Sequence, residues 1–283
     1  MSPTRALDVR GTSVSLLEAG EGSPLFYLHG FADVHGAVPD WLPFHRALAA
    51  STRLLAPAHP GCGASTGSAR VDRVEVLGFH YLVLLDALGL DRVDVVGTCL
   101  GGWIAAELAV RHPQRVRRLA LLGAVGLHVP GAPIGDLFML SQRSDFGKHT
   151  DLRALLFHGA GSPLALEMFP DRYAALPEEV LRYQCMTFAG RIGWNPPYFY
   201  DRKLRSRLRR ITVPTLIVWG REDRFVPLAH AEAYHEGIAG SKLAVLERAG
   251  HSVWLEEPET CAKLVAEFVS ATAPTGGARV SAR

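Results

Sequence analysis

Short apolar runs alternate with longer stretches of helical spacing along most of the chain. Residues 6–9 and 13–17 alternate around Gly11 and predict a hairpin at a sheet edge. Pro24-Leu-Phe-Tyr-Leu28 reads as a buried strand, followed by His29-Gly30-Phe31 and a loop through Pro39. Residues 41–50 carry apolar side chains at helical spacing (Trp41, Leu42, Phe44, Leu48). Arg53 to Pro57 is the next strand, and residues 71–88 predict a long amphipathic helix stopped by Gly89. A β-branched strand begins at Val93, a Gly-rich turn and its helix follow to about Arg111 before Pro113, and residues 116–125 form another strand. Strands that alternate with helices predict a parallel sheet covered on both faces.

The alternation stops at Gly126. From there to about Arg210 no buried strand is legible, only short helical pieces at 134–140, 152–158, 164–168, 177–190 and 201–210. So long a stretch between two core strands predicts a helical insertion. The last piece is strongly basic, which reads as a solvated face. The α/β pattern resumes with a strand at 214–220, a helix at 227–238, a strand at 242–246 and a helix at 258–269. The expected division is therefore core at 1–126, insertion at 127–210, core again at 211–271, and a disordered tail at 272–283.

Composition changes this picture little. With 283 residues, 48% apolar and 20% charged, the chain is long enough for a substantial core and is an ordinary soluble type. A net charge of +2 argues against nucleic acid or an anionic membrane as a bulk partner. Cys62, Cys99, Cys185 and Cys261 lie far apart, without a CxxC pair. That spacing suggests neither a zinc site nor a disulfide framework, and fits a reducing, cytoplasmic setting. The first residues lack the apolar core of a signal peptide, and no apolar run approaches the ~18 residues of a membrane span.

The candidate chemistry centres on Gly97-Thr98-Cys99-Leu100-Gly101. It matches G-x-S-x-G with Cys in the Ser position, at a strand-to-helix junction. Such a turn lifts the central side chain above the sheet and sets it at a helix N-terminus, whose partial positive charge favours a thiolate. Taken alone, the same residues also suit a tightly packed junction with Cys99 as a small buried hydrophobe. Two later positions weigh against that. Asp223 follows the strand ending at Gly220, and His251 follows the strand ending at Leu246. A nucleophile needs a base, and the base needs a group to orient it. The order nucleophile, acid, histidine is that of the elbow-containing hydrolases. Glu222 is the rival acid; Asp223 is preferred as nearer the following helix. Backbone N–H groups of Leu100 and Phe31 are the expected oxyanion donors. His29 is read as a structural hydrogen-bonder, and Cys62 as a packed loop thiol.

His29-Gly30-Phe31, Gly97 to Gly101, Gly220-Arg-Glu-Asp223 and Ala249-Gly-His251 together resemble the α/β-hydrolase superfamily over about residues 6–270. The resemblance implies an α/β-hydrolase fold: a mostly parallel eight-stranded sheet, helices on both faces and a helical lid after strand 6. Residues 126–138 look like the lid entry of esterases and meta-cleavage-product C–C hydrolases. Two departures stand out. Most such members carry Ser where this chain has Cys99, and Ala58 stands where relatives commonly have an Asp that braces a loop.

These features imply a hydrolase acting on a small-molecule substrate: a largely apolar ester, lactone, thioester or activated ketone. An acyltransferase or cyclase using the same acyl-cysteine, or a ligand-binding protein that keeps the fold, are the rival expectations. Phe138, Leu140, Phe157, Met168, Phe169, Met186 and, above all, Trp194 are the candidate pocket residues. No metal or organic cofactor is implied, and nothing in the sequence sets an oligomeric state.

Overall fold

The computed structural model describes residues 4–67, 71–141, 148–172, 176–193 and 198–271. Thr4–Val9 (β1) and Thr12–Ala19 (β2) form the expected edge hairpin. Pro24–Leu28 (β3), Arg53–Pro57 (β4), Val93–Thr98 (β5), Val116–Leu122 (β6), Thr215–Gly220 (β7) and Lys242–Leu246 (β8) complete one sheet in the order β1-β2-β4-β3-β5-β6-β7-β8. From β4 to β8 every pairing is parallel, whereas β2 runs antiparallel to both β1 and β4. Every residue of β5 and β7 is buried, which explains their unbroken apolar runs: a strand covered on both faces has no solvent side to alternate with.

Helices Pro43–Ala49 (α1), Val74–Ala87 (α2) and Cys99–Arg111 (α3) follow β3, β4 and β5. Helix α3 is buried along its length except at Arg111, as befits a segment of small and aliphatic side chains. Strand β6 stops at Leu122 rather than continuing to Val125, because Gly123 takes a positive φ of 57° and turns the chain. The segment between β6 and β7 is helical where described: Leu137–Leu140 (α4), Thr150–Leu156 (α5), Pro163–Met168 (α6), Leu176–Gly193 (α7) and Leu204–Arg207 (α8). Ala229–Gly237 (α9), Val253–Glu256 (α10) and Pro258–Ser270 (α11) close the fold. Trp194 and residues 272–283 lie outside the described residues.

The strand order supplies the location of the site. The chain passes from β3 outward to β4, then returns to place β5 on the other side of β3. Connections therefore diverge between β3 and β5, and that reversal opens a crevice at their carboxyl ends. The residues that follow these two strands are His29-Gly30-Phe31 and Cys99.

Candidate active site

Cys99 occupies the first position of α3 with a φ of 50°, in the left-handed region that a β-carbon disfavours. The flanking glycines make the turn feasible. A β-carbon on Gly97 would run into the Gly101 backbone, and one on Gly101 would run into the Leu28 carbonyl. The Gly30 backbone closes from the other side, where an added β-carbon would lie 2.8 Å from the Cys99 β-carbon. The loop after β3 thus presses directly on the elbow.

The loops after β7 and β8 meet in the same way. A β-carbon on Gly220 would strike the Gly250 and Ala249 carbonyls. Their approach brings His251 Nδ1–H to 2.9 Å from Asp223 Oδ2. The other oxygen, Asp223 Oδ1, accepts the N–H groups of Phe225 (2.9 Å) and Val226 (2.7 Å), so the carboxylate cannot rotate freely. Asp223 and His251 are both buried, whereas Glu222 is exposed. Of the two acids the sequence offers, Asp223 is the one that lies against the His251 ring.

With Nδ1 committed to Asp223, Nε2 faces Cys99. It is buried and has no partner of hydrogen-bonding geometry, yet the sulfur is close enough to act on the ring electrostatically. Burial alone would lower the imidazole pKa. The charges and hydrogen-bonding groups of Asp223 and Cys99 outweigh it and raise the value to about 10. The ring therefore favours its protonated form, paired between a carboxylate and a sulfur. Catalytic contacts of this kind commonly tighten only when substrate arrives.

His29 does hydrogen-bond structurally. Its Nε2 accepts the His59 N–H at 3.1 Å, so the proton sits on Nδ1, which donates to Gly30 O at 3.0 Å. His59 in turn donates from Nε2 to His29 O at 2.8 Å and accepts the Tyr81 hydroxyl at Nδ1. The two rings stack with centroids 3.7 Å apart. Burial, opposed by its bond to His29, drives the His59 pKa down to about 3, so this brace is neutral. The sequence offered no signal for it, because Ala58 pointed to a weakened loop.

Cys62 is a packed, buried thiol; Cys185 of α7, also buried, directs its own Sγ–H to Gly30 O at 3.8 Å. Aromatic rings surround the site: Phe169 of the insertion stacks on Phe31 at 5.7 Å, and Phe225 of the loop after β7 meets His251 edge-on at 4.7 Å. Phe225 continues to Phe199 and Phe138. A cavity of about 680 Å³ lined by Trp103, Glu107 and Arg207 includes none of Cys99, Asp223 and His251. Among the described residues no group of three or more His, Cys, Asp or Glu is arranged to hold a metal ion, and no helix is long and apolar enough to cross a membrane.

Residues 23–258 match the model of the α/β-hydrolase fold family. This chain belongs to that family. It is an enzyme of the α/β-hydrolase type. It is 31% identical over 272 residues to a 2-hydroxymuconate semialdehyde hydrolase of Pseudomonas sp. (strain CF600), covering 94% of this chain and 93% of that one. It is 30% identical to a 2-hydroxy-6-oxo-2,4-heptadienoate hydrolase of Pseudomonas putida (strain F1), covering 92% and 94%. Among solved structures, a meta-cleavage product hydrolase from Pseudomonas fluorescens IP01 superposes with a TM-score of 0.71 at 21% identity, covering 94% of this chain and 97% of that one. A putative lipase from Acinetobacter baumannii AYE does so with a TM-score of 0.76 at 20% identity, covering 94% and 90%. The two structures support the fold alone.

Proposed function

We propose that this hydrolase works through Cys99, His251 and Asp223 and cleaves a small, largely apolar ester, lactone, thioester or activated ketone. The observation that carries the reading is the stacking of three roles in series: an elbow cysteine at positive φ, an imidazole nitrogen facing it, and a carboxylate 2.9 Å behind the ring. The activated-ketone member of that substrate class draws support from the relatives, whose names describe hydrolases of 2-hydroxymuconate semialdehyde and 2-hydroxy-6-oxo-heptadienoate. The aromatic rings around Phe31 and His251 suit an apolar group next to the scissile bond.

His251, oriented by Asp223, takes the cysteine proton, either as the sulfur attacks or beforehand in a resting thiolate–imidazolium pair. The sulfur attacks the carbonyl carbon, and the oxygen that becomes negative is received by the N–H groups of Leu100 and Phe31. As the tetrahedral centre collapses, His251 gives its proton to the departing group and a thioester remains on Cys99. Neutral His251 then takes a proton from water, whose oxygen attacks the thioester. The tetrahedral centre collapses by breaking the carbon–sulfur bond, the carboxylic acid leaves, and the proton taken from water remains shared between His251 and the freed sulfur. The insertion acts as a lid that keeps bulk water from the thioester.

Intact-mass measurement after mixing with p-nitrophenyl acetate tests this. A transient acetyl adduct on Cys99 that clears with turnover is expected. An adduct that discharges only onto an added amine or thiol would make the protein an acyltransferase. No adduct together with reversible binding would make it a receptor.

A further inference from the structure

Beneath the elbow lies a buried carboxylate that the steps above do not use. Asp33, fully buried, follows the loop that carries Phe31. Its Oδ2 accepts the Tyr27 hydroxyl at 2.6 Å, the Thr98 hydroxyl at 2.7 Å and the Gly30 N–H at 3.3 Å. Its Oδ1 accepts the Val34 N–H at 2.7 Å and faces His45 Nε2 of α1 at 3.3 Å, at an angle short of a hydrogen bond. The Asp33 carbonyl also accepts N–H groups of Gly36, Ala37 and Val38, which fold the following turn back onto it.

Two of these donors have special positions. Gly30 adjoins Phe31, one proposed oxyanion donor. Thr98 immediately precedes Cys99 and Leu100, the proposed nucleophile and the other donor. The two halves of the oxyanion site come from separate strand ends, β3 and β5, and one carboxylate oxygen bonds both. An ionised carboxylate shared by several neutral donors is a stiffer tie than contacts between neutral groups, because charge-assisted hydrogen bonds are shorter and stronger. Burying it without those donors would be strongly unfavourable. No packing need calls for a charge at this point, since apolar side chains would fill the same space more cheaply.

We propose that Asp33 is a positioning residue: by bonding Gly30 and Thr98 through one oxygen, it sets the spacing between the two oxyanion donors and the nucleophile. This rests on the reading of Cys99 as the nucleophile. The consequence is selective. Steps that build a negative oxygen depend on Asp33, while simple displacement by the sulfur does not, because alkylation forms no oxyanion.

The experiment compares two reactions of the same sulfur. Acylation by p-nitrophenyl acetate uses the oxyanion donors, and alkylation by iodoacetamide does not. Asp33→Asn keeps the shape and removes the charge. It should slow acylation about 10²-fold with KM little changed, the scale expected for misplacement of about 1 Å, and leave alkylation within about twofold. Thr98→Val, which deletes one donor and spares Asp33, should slow acylation in the same sense, and Thr98→Ser should restore it. If acylation and alkylation fall together, or acylation holds in both Asp33→Asn and Thr98→Val, the proposal is overturned. If Asp33→Asn does not fold, Thr98→Val and Thr98→Ser decide on the same two rates. A parent protein that is alkylated at Cys99 yet never acylated there would overturn the nucleophile reading itself, and this inference with it, before any variant is compared.

Discussion

Arg207 of the helical insertion donates from Nη2 to Glu107 Oε1, on the helix that carries the elbow, at 2.8 Å. Glu107 is almost fully buried and also accepts Arg111 Nε at 3.0 Å. Burial raises the carboxyl pKa despite both arginines. The pair ties α8 to α3, so part of the basic segment at 201–210 is a clamp rather than the solvated face its sequence suggests, while Arg202, Arg205, Arg209 and Arg210 are exposed.

Arg207→Met should therefore destabilise the protein by about 1–3 kcal/mol, the usual penalty for leaving a buried partner short of a hydrogen bond. Arg207 is partly exposed, and Glu107 keeps Arg111, so the lower half of that range is expected. Urea unfolding of the two proteins checks it, and an unchanged midpoint would refute the clamp.

Cys99→Ala should abolish turnover of activated esters, by roughly 10⁴–10⁶-fold, since a triad acts as a unit. Cys99→Ser should retain measurable activity, because the same turn and base serve a hydroxyl. Steady-state rates with p-nitrophenyl esters decide it; a Cys99→Ala protein as fast as the parent would exclude Cys99 as nucleophile.

Asp223→Asn preserves shape but removes the charge that helps hold His251 protonated. A loss of about 10⁴-fold in kcat is expected, as when the orienting carboxylate of a triad is neutralised. Glu222→Gln, at an exposed position, should leave kcat unchanged. Equal losses in the two variants would refute the assignment of the acid.

The pH dependence of stability has a definite direction. His251 titrates at about 10 in the folded protein against 6.5 ordinarily. A group whose pKa is raised on folding stabilises fully below the lower value and loses that contribution as pH climbs through the upper one. The difference in melting temperature between the parent and His251→Gln should therefore be largest near pH 6 and shrink toward about pH 10. A difference that stays constant or grows over this range would contradict the imidazolium.

That the elbow, Asp223 and His251 would converge was legible because each follows the end of its own strand, and a parallel sheet delivers all such loops to one edge. The eight-stranded fold was legible for the same reason: apolar runs of strand length alternate with helical spacing. Element ends were less so. Helix α2 begins at Val74 rather than Val71, and β6 ends before the turn at Gly123, where apolar residues continue into the loop. Asp33 and His59 were invisible. Thr98 meets Asp33 across 65 positions of sequence, and His59 meets His29 across 30, so their roles exist only once the strands are side by side. A lone Asp after a His-Gly turn reads as an ordinary loop residue until then.

The backbone beside His251 is joined to the insertion at several points. Ser252 N–H donates to Leu156 O at 2.9 Å, and Glu256 accepts the N–H of both Gly250 and His158. A β-carbon on Gly250 would lie 2.6 Å from His158 N. The roof is thus riveted at the corner where the imidazole sits, and that corner cannot lift without shifting His251. On the opposite flank, where Cys185 of α7 meets Gly30 O, substitutions would leave these rivets untouched, so the two sides of the roof can be loosened separately.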